Sequence, residues 1–236
     1  VETCIVETCI GIRTNIETLS QIMEAGLDKQ RFLEAWNNCC DQPVDKHYLN
    51  SVFTELDHHY SEPSRFYHTS RHIIHCLSQY DSSKDSTGQL PNVELAIWMH
   101  DVIYEADSRI NESRSAQWFR EKARGNLSET TIDTVANLVL ITQHKVLPFT
   151  QEEQCIIDID LSSFGMQWDD FYSDGLRIRQ EFSHLNEDQF ITGQTAFMQA
   201  LLNRPTIYST QFFHDSLEHR ARNNIQGQIA LYQAKP

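Results

Sequence analysis

The chain is poor in the features that would mark several protein classes. Eight glycines and six prolines in 236 residues are too few for long flexible or polyproline linkers. No stretch approaches the roughly 18 consecutive apolar residues that a bilayer span requires. The N-terminus has no basic segment leading into an apolar one, so neither a membrane anchor nor a secretory leader is expected. The six cysteines are Cys4, Cys9, Cys39, Cys40, Cys76 and Cys155, with no Cys-x-x-Cys pair among them. That spacing reads as free thiols in a reducing compartment, with the cytoplasm as the expected address. Basic residues are also scarce. Nineteen Lys and Arg against 33 Asp and Glu give a formal charge of −14, which repels nucleic-acid polymers and anionic membranes. A small phosphorylated molecule or nucleotide stays accessible, because one bound cation can reverse the potential inside a single cleft. Homo-oligomers are compatible with this composition.

Alternating, strand-like segments are nearly absent, and helical periodicity dominates. The first ten residues repeat VETCI and are set apart from fold reasoning; residues 11–236 read as one all-α unit, an irregular helical bundle. Helical patterns begin with Ile16, Leu19, Ile22 and Met23, and continue through Phe32, Leu33 and Trp36 and then Leu49, Phe53 and Leu56. A break at Ser61-Glu62-Pro63-Ser64 precedes a helix expected from near His68 to Tyr80, with DSSKDSTG as a polar loop after it. Pro91 suits the first turn of the next helix, whose LAIWMHDVIY stretch, residues 95–104, is apolar on nearly every side and is expected at the centre of the bundle. Further helices are expected at about 111–123, 129–143, 152–163, 168–184, 187–202 and 209–232.

His100 and Asp101 fall inside that apolar helix. A buried imidazole and a buried carboxylate must each find partners or cost several kcal/mol, and one shared cation would serve both. A His-Asp dipeptide alone is a weak signal: a second copy, His214-Asp215, lies in a less apolar setting and reads as surface. The pair at 100 and 101 has company. His68, His72 and His75 sit at same-face helical spacing upstream, and Asp158 and Asp160 lie in the apolar CIIDIDLSSFG stretch downstream. Two imidazoles with two carboxylates suit Mn, Mg, Fe, Co, Ni or Zn and leave positions open for water and substrate.

The order His, His-Asp, Asp resembles the signature of the HD superfamily of metal-dependent phosphohydrolases. From about residue 32 to 232 the chain is similar to a family of predicted HD-type phosphohydrolases, through RFYHTSRHIIHCL, LAIWMHDVIYEADSRINESRSA, ITQHK, DIDLSSFG, RIRQEF and LLNRPTIYST. The resemblance implies an HD-type helical domain whose ion is held by His72, His100, Asp101 and Asp160, with His72 preferred to His68 and Asp160 to Asp158. It implies that Asp101, Glu112 and His68 serve catalysis, Glu112 within an Asn-Glu-x-x-Ser-Ala element at 111–116. Arg71, His144, Arg179 and Arg204 are the expected substrate contacts, since guanidinium matches phosphate oxygens and histidine is versatile; Arg109 and Arg177 rank behind them. His144 would alternatively support a second ion. The implied activity is hydrolysis of a small phosphoester or nucleotide by metal-activated water. An HD-fold di-iron oxygenase and a non-catalytic nucleotide-sensing module are the competing readings.

Overall fold

Caps and breaks in the sequence set most of the helix boundaries. The computed structural model describes residues 26–234, so the duplicated VETCI segment and the helical pattern at 16–23 lie outside the described residues. Asp28 and Asp45 cap the first two helices, Lys29–Asn37 (α1) and Lys46–Tyr60 (α2), by accepting from the Arg31 and Tyr48 amides. Thr69 caps Ser70–Thr87 (α3) in the same way, and Pro91 occupies the first turn of Pro91–Met99 (α4). There follow Asn111–Ala123 (α5), Glu129–Ile141 (α6) and Gln151–Asp160 (α7), the last begun by a capping box between Thr150 and Glu153. A 3-10 turn, Leu161–Gly165, leads to Trp168–Glu181 (α8), Glu187–Leu202 (α9) and Gln211–Gln233 (α10). The described residues form an all-helical bundle and contain no strand. None of its helices is long and apolar enough to cross a membrane.

The core forms around α4. Val93, Leu95, Ala96, Ile97, Trp98 and Met99 are all buried, and the helix touches α1, α3, α5, α6 and α7. Trp98 meets Phe32 edge-on at 5.5 Å, and Phe32 in turn contacts Phe53 and Trp36. Each large apolar side chain buried in this way stabilises the fold by roughly 1.5–3 kcal/mol, which outweighs the modest helix propensity of aromatic residues.

Three expectations fail for identifiable reasons. The DSSKDSTG segment is not a loop, because α3 continues to Thr87 and ends at Gly88, whose φ of 76° favours glycine. Its hydroxyls bond back to the helix, Ser82 to Ser78 O, Ser83 to Tyr80 O and Thr87 to Ser83 O. Ser83 and Thr87 are buried, so packing overrides local propensity. Conversely, α4 stops at Met99 instead of running to residue 104, and His100 is its C-cap. The buried Arg65 draws the next carbonyls aside, donating to Asp101 O at 2.6 Å and Val102 O at 2.9 Å. Ser115 bonds both backbone groups of Ile103, and Asn111 bonds both of Glu105, fixing the rest of the loop. The helix expected over 152–163 likewise tightens into the 3-10 turn after Asp160. Gly165 lies so close to α10 that a Cβ there would sit 2.6 Å from Leu217 Cβ.

Candidate metal centre and cavity

Four of the sequence-selected side chains arrive at one point from three helix segments. His72 comes from the first turns of α3, His100 and Asp101 from the end of α4, and Asp160 from the end of α7. His72 Nε2 lies 3.1 Å from His100 Nε2 and 3.3 Å from Asp160 Oδ1. Asp101 Oδ2 is 3.1 Å from His100 Nε2 and 3.6 Å from His72 Nε2. Both histidines are buried.

The tautomer of His100 follows from its surroundings. Its Nδ1 is 2.9 Å from Ile97 O, which can only accept, so Nδ1 carries a proton and Nε2 faces the carboxylates. Burial disfavours a charged His100, but Asp101 and Asp160 outweigh it and raise its pKa well above the ordinary imidazole value. Burial likewise pushes both carboxyls up, yet the facing imidazoles hold Asp101 and Asp160 below the usual carboxylate range. The cluster thus attracts positive charge, and an Nε2 pair flanked by two carboxylates fits a divalent cation of the Mn, Fe, Co, Ni or Zn kind. Cys76 Sγ also lies 3.7 Å from His72 Nε2, within a group whose ligand atoms are all within 4.8 Å of one another. Burial pushes that thiol well above its ordinary value while no cation is bound.

Asp158 points elsewhere. Its carboxylate is fully buried and accepts from the Ser209 and Thr210 amides and the Thr210 hydroxyl at 2.7–3.0 Å, tying α7 to the start of α10. His75 is also turned aside onto Ser162 Oγ at 2.8 Å, and burial pushes its pKa down to about 4. His214 is half-buried, Asp215 is exposed, and the two meet at 3.3 Å.

His68 stands next to the cluster. Its Nδ1 donates to Glu181 Oε2 at 2.7 Å, and its ring stacks on Tyr104 with centroids 4.0 Å apart. Glu181 is buried near the end of α8. Its Oε1 accepts from the backbone amides of Phe66, Tyr67 and His68, and its Oε2 also accepts from the Tyr104 hydroxyl. Burial alone would raise its pKa, but the His68 ring and these amides lower it from 4.5 to about 2. Burial pulls the His68 pKa down, and Asp101 with Glu181 more than reverses this. Neither Glu181 nor Arg65, which also bonds His68 O at 3.3 Å, carries a sequence signal linking it to residue 68.

A cavity of about 350 Å³ opens beside the cluster and is lined by His68, Asp101, Glu112, His144 and Asp160, among others. Glu112 sits half-buried in the first turn of α5. His144 has a φ of 56° and places Nε2 2.9 Å from Asp160 Oδ2. The expected arginines do not reach this cavity. Arg71 and Arg177 both bond Asp174 Oδ1, at 3.2 and 2.6 Å. Arg179 bonds Glu187 and the Phe182 and Leu185 carbonyls, and Arg204 supports the His144 carbonyl at 3.0 Å. Guanidinium groups here brace the frame instead of facing the opening, because each finds a carboxylate or carbonyl within its own neighbourhood.

Comparison of the chain with protein-family models, curated proteins and solved structures returns no match.

Proposed function

We propose that this protein is a metal-dependent phosphohydrolase acting on a small phosphoester. The observation that carries the reading is the pair of facing imidazoles, His72 Nε2 and His100 Nε2 at 3.1 Å, flanked by Asp101 and Asp160 on the wall of a cavity that also holds His68 and Glu112. When bound there, a divalent cation supplies Lewis-acid polarisation of phosphate and a lowered pKa for water. His72, His100, Asp101 and Asp160 would hold it.

The remaining work falls to the chain's own groups. In the net reaction water adds across the P–O ester bond, giving phosphate and an alcohol. Glu112 takes the proton from the attacking water, its half-buried carboxylate facing the cavity from the first turn of α5. His68 delivers a proton to the departing alcohol oxygen. Glu181 holds its Nδ1–H, fixes the ring and stabilises the imidazolium, as an orienting carboxylate does for a catalytic histidine. His144, bonded to Asp160 and supported by Arg204, is placed to contact substrate oxygen or a second ion.

The test is a screen of phosphomonoesters, phosphodiesters and nucleotides with Mn, Mg, Fe, Co, Ni and Zn, using metal-free protein as baseline. Glu112→Gln is expected to keep metal content while lowering kcat about 10²-fold, the scale of a lost acid–base group. Unchanged turnover and an unchanged pH profile would remove Glu112 from the mechanism. Absence of metal-stimulated phosphate release from every ester would contradict the hydrolase reading itself.

A further inference from the structure

The wall of the cavity restricts what can bind there. Six carboxylates line it: Asp101, Glu105, Asp107, Glu112, Asp160 and Asp174. No lysine or arginine is among the described residues that line it. Glu105 and Asp107 are paired at the rim with Arg114 and His184, while Asp174 binds Arg71 and Arg177, which face a neighbouring depression instead. Glu112 is paired with no cation among the described residues.

The lining is also aromatic and aliphatic. Phe197 stands 6.2 Å from both the His144 ring and Phe164, and Phe164 stands 5.8 Å from Phe171, so three phenyl rings follow one another from His144. Ile178 and Met198 extend this face, and the amide of Gln194 on α9 supplies one neutral donor and acceptor. At about 350 Å³ the space is near the lower end of ligand sites and holds roughly one ring system with its phosphate.

On the phosphohydrolase reading given above, we infer that the ligand is a single phosphoryl group esterified to an alcohol that carries one aromatic or heteroaromatic ring, and that di- and triphosphates are excluded. One phosphoryl group would be neutralised by a cation held at His72, His100, Asp101 and Asp160. With His68 committed to the ester oxygen, a further phosphate would need another cation, and beyond His144 the charged groups of the wall are carboxylates. A flat ring gains from the phenyl face what a polar polyol would lose by desolvation.

The test is calorimetric binding to the full-length, Mn-loaded protein, with phosphate release followed separately. Phenylphosphonate against methylphosphonate reads the ring, and adenosine monophosphate against adenosine triphosphate reads the phosphate count. Phenylphosphonate and the monophosphate are each expected to bind at least about tenfold tighter than their counterparts, a scale typical of a fitted apolar pocket. Comparing the two favoured ligands separates a simple aryl ester from a nucleoside one. Phe197→Ala is expected to erase the phenyl preference, and Gln194→Lys to narrow the gap between mono- and triphosphate. Equal or reversed orders, or no binding of any probe, would overturn the inference, even where hydrolysis of some ester establishes the phosphohydrolase. The expected order without phosphate release would support this ligand class while contradicting the hydrolytic reading.

Discussion

Asp101→Ala is expected to abolish hydrolysis, by about 10³-fold or more, and to empty the metal centre while leaving the helical circular dichroism close to that of the wild type. Asp101 places Oδ2 within 3.6 Å of both His72 and His100, so its removal takes one of two carboxylates from the centre. Its carbonyl bond to Arg65 belongs to the backbone and survives the substitution. The core around Trp98 and Phe32 does not involve the carboxylate. Metal quantification, a phosphate-release assay and circular dichroism on the same preparation check all three parts. Full metal content with unchanged turnover would remove Asp101 from the centre, and loss of helicity would make the ion a structural one.

Glu181→Ala is expected to lower stability by about 3 kcal/mol and to remove much of the acid sensitivity of the fold. The folded-state pKa of Glu181 is depressed from 4.5 to about 2, so its contribution is present above pH 4.5 and is lost as pH falls from there through 2. A shift of that size corresponds to about 3 kcal/mol. The substitution also leaves three backbone amides, of which that of Tyr67 is buried, the His68 ring nitrogen and the Tyr104 hydroxyl without their acceptor. Urea titrations at pH 7, 4.5 and 3 measure both effects. Parallel losses for wild type and variant between pH 4.5 and 3 would show that Glu181 is not the source of the acid dependence.

The helical class was legible in the sequence because it rests on short-range pattern, whereas the grouping of His72, His100, Asp101 and Asp160, which come from separate helices, was an expectation implied by the HD-type resemblance. Helical periodicity marks the core faces, and ionisable residues inside apolar stretches mark where desolvation must be offset. The choice between Asp158 and Asp160 was not decided by such a pattern. Both lie in the same helix, and only the position of the 209–210 amides shows that Asp158 is committed to holding α10. The orientation of His68 was equally hidden, since its partner Glu181 lies 113 residues away. Arg71, Arg179 and Arg204 illustrate the same limit. Residue type marks a guanidinium as suited to phosphate, but the cavity face is set by tertiary neighbours, and here they hold each one at Asp174, Glu187 or the His144 carbonyl.

The central claim is that His72, His100, Asp101 and Asp160 share one divalent cation. Anomalous diffraction from crystals of the full chain grown with Mn tests it most directly, because the signal locates the ion independently of activity. The account predicts a peak within coordination distance, about 2.0–2.3 Å, of His72 Nε2, His100 Nε2, an Asp101 oxygen and an Asp160 oxygen. A peak confined to other residues, or none at saturating Mn, would contradict it.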